Sequence, residues 1–481
     1  MIMGREGKKI LMILMVLFTV LAVLVLLSGG FYGGGDSIAH YRISHFAWKY
    51  PRLFLDHWGK PVFTVLSSPF SWCGFNGTRI YNVIAGLATA YLTYATVKRE
   101  YGRDSWPALF FVVLAPVYFI LFFSAMTEIT FSLVLMAAVY LSYRKKFLAA
   151  ALMISLLPFA RTEGIVIDAV FLASLIRFRQ YKSLLLLPAG FVFFSLVGWP
   201  VYKDPLWVIH RMPYTGAADI YGHGTLWHFV NNIPRIFGVP LAFLWVLGIY
   251  VLIRSWRQRE KHEQALWETW FVVLPFLAYF AAHSYVWWKG LGGSLGLIRV
   301  MAGVVPLVAV TAMRGYDFVS RQIPEGNSRR VLLPAITLVA FLIPPLHYHK
   351  VPLREDEMQK LLSRAAAWVR HSPYSGHPVY YYDLYFQFRL GLDPYDPDQC
   401  REKVPDPKHP AKEVPPGSIV QWDSHYGPNE GRLPLERLLD NPAYSLLKTF
   451  SPEHSFKVIG GYDYAVYLFL RNQDKHGNAE E

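Results

Sequence analysis

An uncharged, mostly apolar run that ends at residue 35 constrains the fold of this chain more than any other feature. A helix needs about 20 residues to cross a bilayer, and this run is longer. The basic start, with Arg5, Lys8 and Lys9, also occurs in cleaved signal peptides. However, the apolar core exceeds their usual ~7–15 residues, and no small-residue cleavage site follows. The sequence therefore predicts a retained membrane helix.

Further apolar runs follow, and they account for a low share of charged residues, 17% of the chain. Soluble domains usually carry about 25%. The length criterion predicts about eleven membrane segments and thus a mainly α, multi-pass transmembrane helical bundle. The segments are residues 10–30, 79–97, 106–123, 127–142, 147–160, 165–176, 183–200, 236–253, 267–283, 300–313 and 331–345.

The formal charge of +13 is concentrated in short basic clusters between the apolar runs. This arrangement follows the positive-inside rule, and no nucleic-acid-binding motif accompanies it. The sequence therefore predicts no nucleic-acid partner. It predicts a protein of the cell (inner) membrane, with a cytoplasmic N-terminus and an extracytoplasmic C-terminal part.

The chain is predicted to consist of a transmembrane module, residues 1–350, and a soluble extracytoplasmic α/β domain, residues 351–481. Short runs rich in β-branched and aromatic residues predict strands within the tail, and an amphipathic pattern predicts a helix at residues 353–371. The predicted strands are residues 379–382, 418–422 and 465–470. The aromatic residues of these strands could stack on sugars, but a packed β-rich core is the favoured interpretation. Cys73 and Cys400 are interpreted as free thiols rather than a disulfide.

Ionisable side chains of the outer loops cluster at the ends of the apolar runs, where a reaction at a membrane surface would need them. Ionisable groups at membrane depth are energetically costly and often functional. In chain order, the candidates are Asp36, His57, Glu128, Arg161, Glu163, His283, Lys289 and Arg299.

These candidates also have structural interpretations. Asp36 is expected to N-cap a helix that extends to about residue 50, and a capped carboxylate can still act as a base. Glu128 is interpreted either as a site residue or as part of a helix cap formed through Thr127. Arg161 either pairs with Glu163 or binds phosphate. Arg299 either anchors the interface or binds an anion at the N-terminus of a helix over residues 300–313. A metal site at His223 and His228 is disfavoured by their loose spacing.

The residues and their order resemble the GT-C superfamily of integral membrane glycosyltransferases, in particular its mannosyltransferase and aminoarabinose-transferase-like members. The resemblance covers residues 1–345. It is carried by an acid after the first helix, a first-loop motif, an acid between short helices, a charged turn and a glycine-rich loop before a proline. In this chain they are Asp36, His57-Trp58-Gly59-Lys60-Pro61, Thr127-Glu128, Arg161-Thr162-Glu163-Gly164, and Gly296-Leu297-Ile298-Arg299 before Pro306.

This resemblance implies an inverting hexosyltransferase that moves a sugar from a polyprenyl-phosphate-linked donor to a lipid, glycan or protein acceptor. Asp36 would be the general base, and Glu128 would position the acceptor or a metal. The resemblance assigns lipid-phosphate or donor binding to Arg299, Arg161, Lys289, His57 and Lys60, and acceptor or loop roles to Glu163, His283 and His223. No cofactor is firmly implied. A divalent metal at Asp36 and Glu128 is in doubt, because Ser37 stands where some relatives carry a second acid.

Three other functions are consistent with a multi-pass chain. A transporter often has two related halves and midplane ionisable residues, and this sequence has neither pattern. A polymerase or ligase of lipid-linked glycans would have a similar topology but a different site. A non-catalytic scaffold would use the tail to bind a partner.

Overall fold

The computed structural model describes residues 4–102, 105–213 and 218–473, and most of these residues are helical. The α-helices are Arg5–Leu27, Gly34–Phe46, Pro61–Ser71, Phe75–Tyr101, Pro107–Val113, Pro116–Leu121, Glu128–Tyr143, Phe147–Ser155, Leu157–Ala160, Gly164–Arg177, Tyr181–Leu184, Ala189–Tyr202, Trp207–His210, Ala218–Tyr221, His228–Asn231, Ile233–Ile236, Val239–Trp256, His262–Glu268, Leu274–Lys289, Val305–Gln322, Leu333–Tyr348, Glu357–Arg370, Leu384–Leu390 and Glu436–Leu439. Tighter 3-10 turns are Pro51–Leu55, Arg259–Lys261, Ile298–Val304 and Ile459–Gly461, and π-helical turns are Thr269–Val273 and Ser328–Leu332.

Each predicted membrane segment falls on a helix or on helices interrupted at a proline, such as Pro116. In the described ranges, six helical stretches are long and apolar enough to cross a membrane. They are Arg5–Leu27, Phe75–Tyr101, Tyr181–Tyr202, Val239–Trp256, Arg259–Lys289 and Ile298–Gln322. Shorter apolar helices accompany them, and the fold is that of a multi-pass membrane protein.

The chain divides into two compact units. Met1–Ser28 and Ile43–Leu353 form the larger one, and Gly29–Arg42 and Arg354–Glu481 form the smaller one. The predicted boundary at residue 350 stays a prediction, but a short segment after the first helix groups with the tail. This segment contains Asp36, so Asp36 belongs to the smaller unit.

In the larger unit, helices Val239–Trp256 and Val305–Gln322 pack closely because glycines face the contact. A methyl group at Gly248 would lie 2.1 Å from the carbonyl oxygen of Thr311, and one at Gly315 would meet the other helix equally closely. Small residues that allow backbones to approach are a common feature of membrane helix pairs.

A buried ion pair joins further helices of this unit. Arg314 donates from Nε and Nη2 to Oε2 of Glu268, at 2.9 and 2.5 Å. The hydroxyl of Tyr101 donates to the same oxygen at 2.7 Å. Glu268 is fully buried, so these contacts compensate a carboxylate removed from water.

The smaller unit contains a five-stranded sheet among its described residues, in the order β2-β1-β3-β5-β4. Strands β1, β2 and β3 are parallel, and β5 runs antiparallel to β3 and β4. Helix Glu357–Arg370, the predicted amphipathic helix, packs against β4 and β5. The tail aromatics Tyr380, Tyr382 and Trp422 lie in the core, as expected. The strands are Val379–Tyr381 (β1), Cys400–Glu402 (β2), Ile419–Asp423 (β3), Tyr444–Phe450 (β4) and Val466–Arg471 (β5).

Candidate active site

Glu128 is the centre of a buried cluster of charges in the larger unit. It is the first residue of helix Glu128–Tyr143, and its side chain is fully buried. Its Oε1 lies 2.9 Å from Nη1 of Arg161 and 3.3 Å from Nε of Arg299. A carboxylate without water needs such cations to stay charged. Residues far apart in sequence thus meet at one carboxylate.

The non-helical segment before Glu128 is fixed by Asn82. The Nδ2 atom of Asn82 donates to the carbonyl oxygens of Ser124 and Met126, at 2.8 and 3.1 Å. Thr127 occupies the N-cap position but makes no capping hydrogen bond. The capping interpretation is therefore wrong, because the Thr127 hydroxyl instead accepts a hydrogen bond from Arg161 at 3.1 Å.

Arg161 bridges two carboxylates. Besides Glu128, it contacts Glu163, with Nη2 at 2.8 Å from Oε1, so the expected local ion pair is confirmed. The pKa of Glu163 reflects this setting. Burial disfavours the charged form, but Arg161, His283 and Lys60 outweigh it and lower the pKa to about 2.

Arg299 occupies the 3-10 turn Ile298–Val304 and is not at the end of an α-helix. The α-helix begins only at Val305, next to Pro306, which favours the first turn of a helix. The prediction that Arg299 immediately precedes an α-helix is wrong for this reason. Its guanidinium group nevertheless lies next to Glu128, and an anion can bind it there.

Lys60 belongs to the same cluster. It is buried, precedes helix Pro61–Ser71, and donates from Nζ to the hydroxyl of Thr162 at 3.1 Å. Burial lowers its pKa to about 7, with Arg161 adding to the effect and Glu163 opposing it.

The cluster therefore contains three basic side chains and two carboxylates. With Lys60 protonated, it has one surplus positive charge in a buried setting. Each member stands at or next to a helix end, as expected for chemistry at headgroup depth. The members are Lys60, Glu128, Arg161, Glu163 and Arg299.

Among the described positions, no group of three or more His, Cys, Asp or Glu side chains could hold a metal ion. Glu128 also faces two guanidinium groups, which disfavour a further cation.

The glycine-rich loop after residue 289 is fixed by contacts with the loop that contains Gly224 and His228. A methyl group at Gly224 or Gly296 would lie 1.9 or 2.7 Å from atoms of the Trp287 indole, so only glycine fits at both positions. The Nε2 atom of His228 lies 2.7 Å from the Gly296 carbonyl oxygen. These contacts fix the approach of the chain to Arg299.

The other predicted residues of this unit lie in varied settings. His283 packs on Tyr279, with ring centroids 4.5 Å apart. His57 packs on Trp207 at 4.8 Å. His223 is exposed, and Lys289 is exposed and lies over the ring of Trp288, 3.9 Å from its centroid.

Asp36 belongs to the smaller unit and lies in the first turn of helix Gly34–Phe46. The expected N-cap role is wrong, because the helix begins two residues earlier, after Gly33 with a φ of 98°. A carboxylate in a first turn still interacts favourably with the helix dipole. The helix ends at Phe46, short of the predicted residue 50.

The sequence did not indicate that Asn82 and Thr162 support the charged cluster through hydrogen bonds. It also did not predict that the Tyr279 hydroxyl donates to the carbonyl oxygen of Val300. An asparagine within an apolar helix was a usable signal, because a buried amide must find partners. Thr162 and Tyr279 carry no such local signal.

The fold and the cluster define a class, a multi-pass membrane protein with an α/β unit and a charged site at helix ends. The sequence itself matches no protein-family model and no curated protein.

Two solved structures of ArnT from Cupriavidus metallidurans share the fold. The one bound to undecaprenyl phosphate has a TM-score of 0.62 at 12% identity and covers 97% of this chain and 98% of that chain. The apo structure has a TM-score of 0.61 at 13% identity and covers 96% and 98%. This chain thus has the fold of these two structures over nearly its whole length.

Proposed function

We propose that this protein is a membrane glycosyltransferase that moves a sugar from a polyprenyl-phosphate-linked donor to an acceptor at the outer face of the membrane. One observation carries the proposal most directly. A buried cluster at helix ends has one more cation than carboxylates when Lys60 is protonated. A similar fold is known in a structure of ArnT bound to undecaprenyl phosphate, and this supports a lipid phosphate as the ligand.

Arg299 and Lys60 are the proposed phosphate-binding residues. The donor's phosphate gains negative charge as the sugar leaves, so fixed cations stabilise the transition state more than the ground state. Arg299 lies 3.3 Å from Glu128, a longer contact than the 2.9 Å between Arg161 and the same carboxylate. Arg161 already contacts two carboxylates and a hydroxyl group. Its proposed role is therefore to orient Glu128.

Asp36 is the proposed general base. An acceptor hydroxyl has a high pKa, and a carboxylate that removes its proton typically contributes 10²–10⁴-fold to the rate. Attack on the face opposite the phosphate inverts the anomeric centre. This role rests on the sequence position of Asp36 and on the resemblance.

The proposal is tested with purified protein in detergent or lipid and a panel of polyprenyl-phosphate sugars. We expect the wild type to turn over at least one donor. Asp36→Asn is expected to reduce transfer about 10²–10⁴-fold while leaving binding of polyprenyl phosphate intact. Arg299→Gln is expected to weaken that binding and to reduce transfer about 10²-fold or more.

Lys448→Gln is the matched control, because this cation is exposed and lies over the ring of Trp368. Its activity should stay close to that of the wild type. Failure of the wild type to turn over any donor in the panel, or near-normal transfer by Asp36→Asn, would contradict the proposed mechanism.

A further inference from the structure

The segment that carries Asp36 is bound tightly to the tail within the smaller unit. A methyl group at Gly30 would lie 2.2 Å from the carbonyl oxygen of Arg354, so the two backbones touch. Gln359 donates from Nε2 to the carbonyl oxygen of Phe31 at 3.2 Å. At the other end of the segment, Arg42 pairs with Glu402 at 2.7 Å.

Tyr426, a residue of the tail, lies next to the helical turn that carries Asp36. A methyl group at Gly35 would lie 2.7 Å from the Tyr426 hydroxyl oxygen, so this hydroxyl stands against the residue that precedes Asp36. The charge of Asp36 also acts directly on Tyr426.

The turn that carries Tyr426 is itself fixed. The Oδ1 atom of Asp423, at the end of β3, accepts hydrogen bonds from the backbone nitrogens of His425 and Tyr426, at 3.0 and 2.9 Å. Its Oδ2 accepts from Gln421 at 2.9 Å. This network holds the Tyr426 ring in place.

We propose that Tyr426 is a positioning residue for Asp36, whose hydroxyl orients the carboxylate that accepts the acceptor's proton. This inference rests on the proposed function and assigns the tail a part in it. Burial and the surrounding acids raise the pKa of Tyr426 well above its usual value, so it stays a proton donor. The titratable groups around it are Asp36, Asp383, Asp423, His425, Glu430 and Tyr464.

The test is the pH profile of transfer by Tyr426→Phe. A hydrogen bond to the charged form of an acid favours that form, so loss of the hydroxyl should move the acid limb of the profile upward by about one pH unit. The rate loss should then be largest at low pH. Binding of polyprenyl phosphate should not change.

Gly35→Ala is a second variant that perturbs the same contact. Its backbone accepts alanine in the helix, and only the Tyr426 hydroxyl occupies the space, so the same upward shift is expected. Tyr462→Phe, at a tyrosine 47% exposed in the same unit, is the control and should leave the profile unchanged.

The outcomes are distinguishable. An active wild type with an unshifted acid limb in both variants overturns the positioning role, even if the rate falls uniformly. A wild type that turns over no donor instead overturns the proposed function.

Discussion

Lys60 combines two unfavourable features in one residue. Its φ is 61°, a region that residues with a side chain rarely adopt, and its side chain is only 4% exposed. Strain of this kind costs about 1–3 kcal/mol and is concentrated at functional sites. The adjacent Gly59 and Pro61 set the turn, and the hydrogen bond to Thr162 holds the ammonium group in the cluster.

Lys60 should make binding of polyprenyl phosphate depend on pH. Because its pKa is lowered to about 7, the proton is lost as pH rises through that value. An anion binds the charged form better, so affinity should fall between pH 7.5 and 9.5 by up to about tenfold per pH unit. Lipid-binding titrations measure this.

Lys60→Arg is the diagnostic variant, because arginine stays charged throughout this range. Its affinity should vary little with pH, whereas the control Lys448→Arg should retain the wild-type dependence. An equally steep pH dependence in Lys60→Arg would exclude Lys60 as its source.

The chemical types of the site residues were predictable, but their pairing was not. Acids and arginines at the ends of apolar runs are visible in the sequence. The meeting of Glu128, Arg161 and Arg299 depends on how distant helices pack, and no local pattern encodes it. Helix starts near Asp36 and Arg299 were misplaced because glycine and proline set them.

At the scale of elements, the buried pair of Arg314 and Glu268 should contribute strongly to stability. Loss of either partner leaves an uncompensated buried charge, so Arg314→Leu is expected to lower the free energy of unfolding by about 3–5 kcal/mol. Unfolding of the protein in detergent measures the change.

The surface pair Arg321 and Asp317 on the same helix is the control. Arg321 is half-exposed, so Arg321→Gln should cost less than about 1 kcal/mol. The double variant Arg314→Leu with Glu268→Leu should recover part of the loss. Equal effects of Arg314→Leu and Arg321→Gln would contradict this account.

The elements themselves were predicted unevenly, for reasons of length. Long apolar runs such as Val239–Trp256 are visible from hydrophobicity, and strands such as β3 and β5 are visible as short runs rich in β-branched and aromatic residues. Strand β2 has only three residues, and β4 carries a bulge that breaks its alternation. Whether a short or irregular segment forms a strand depends on the strands that it packs against, which the local sequence does not show.

At the scale of the whole molecule, the smaller unit is built from two distant parts of the chain. The pair of Arg42 and Glu402 joins them. Arg42→Glu should displace the segment that carries Asp36 and reduce transfer about 10²-fold, because small misplacements of a catalytic group have large effects on rate. Binding of polyprenyl phosphate should persist, since Lys60 and Arg299 belong to the larger unit.

The charge-swapped double variant, Arg42→Glu with Glu402→Arg, is the matched test. It should recover part of the transfer rate, although the hydrogen bond from Arg42 to the Tyr381 hydroxyl is also lost. If the transfer rate does not recover in the double variant, the ion pair does not hold the segment that carries Asp36 in place.

The split origin of the smaller unit also sets an order of events during synthesis. The residues around Asp36 leave the ribosome early, whereas the strands that hold them are translated much later. A nascent chain that stops before residue 379 carries the acid without its support. The proposed activity therefore requires the strands to be translated, and a product truncated before them is expected to be inert.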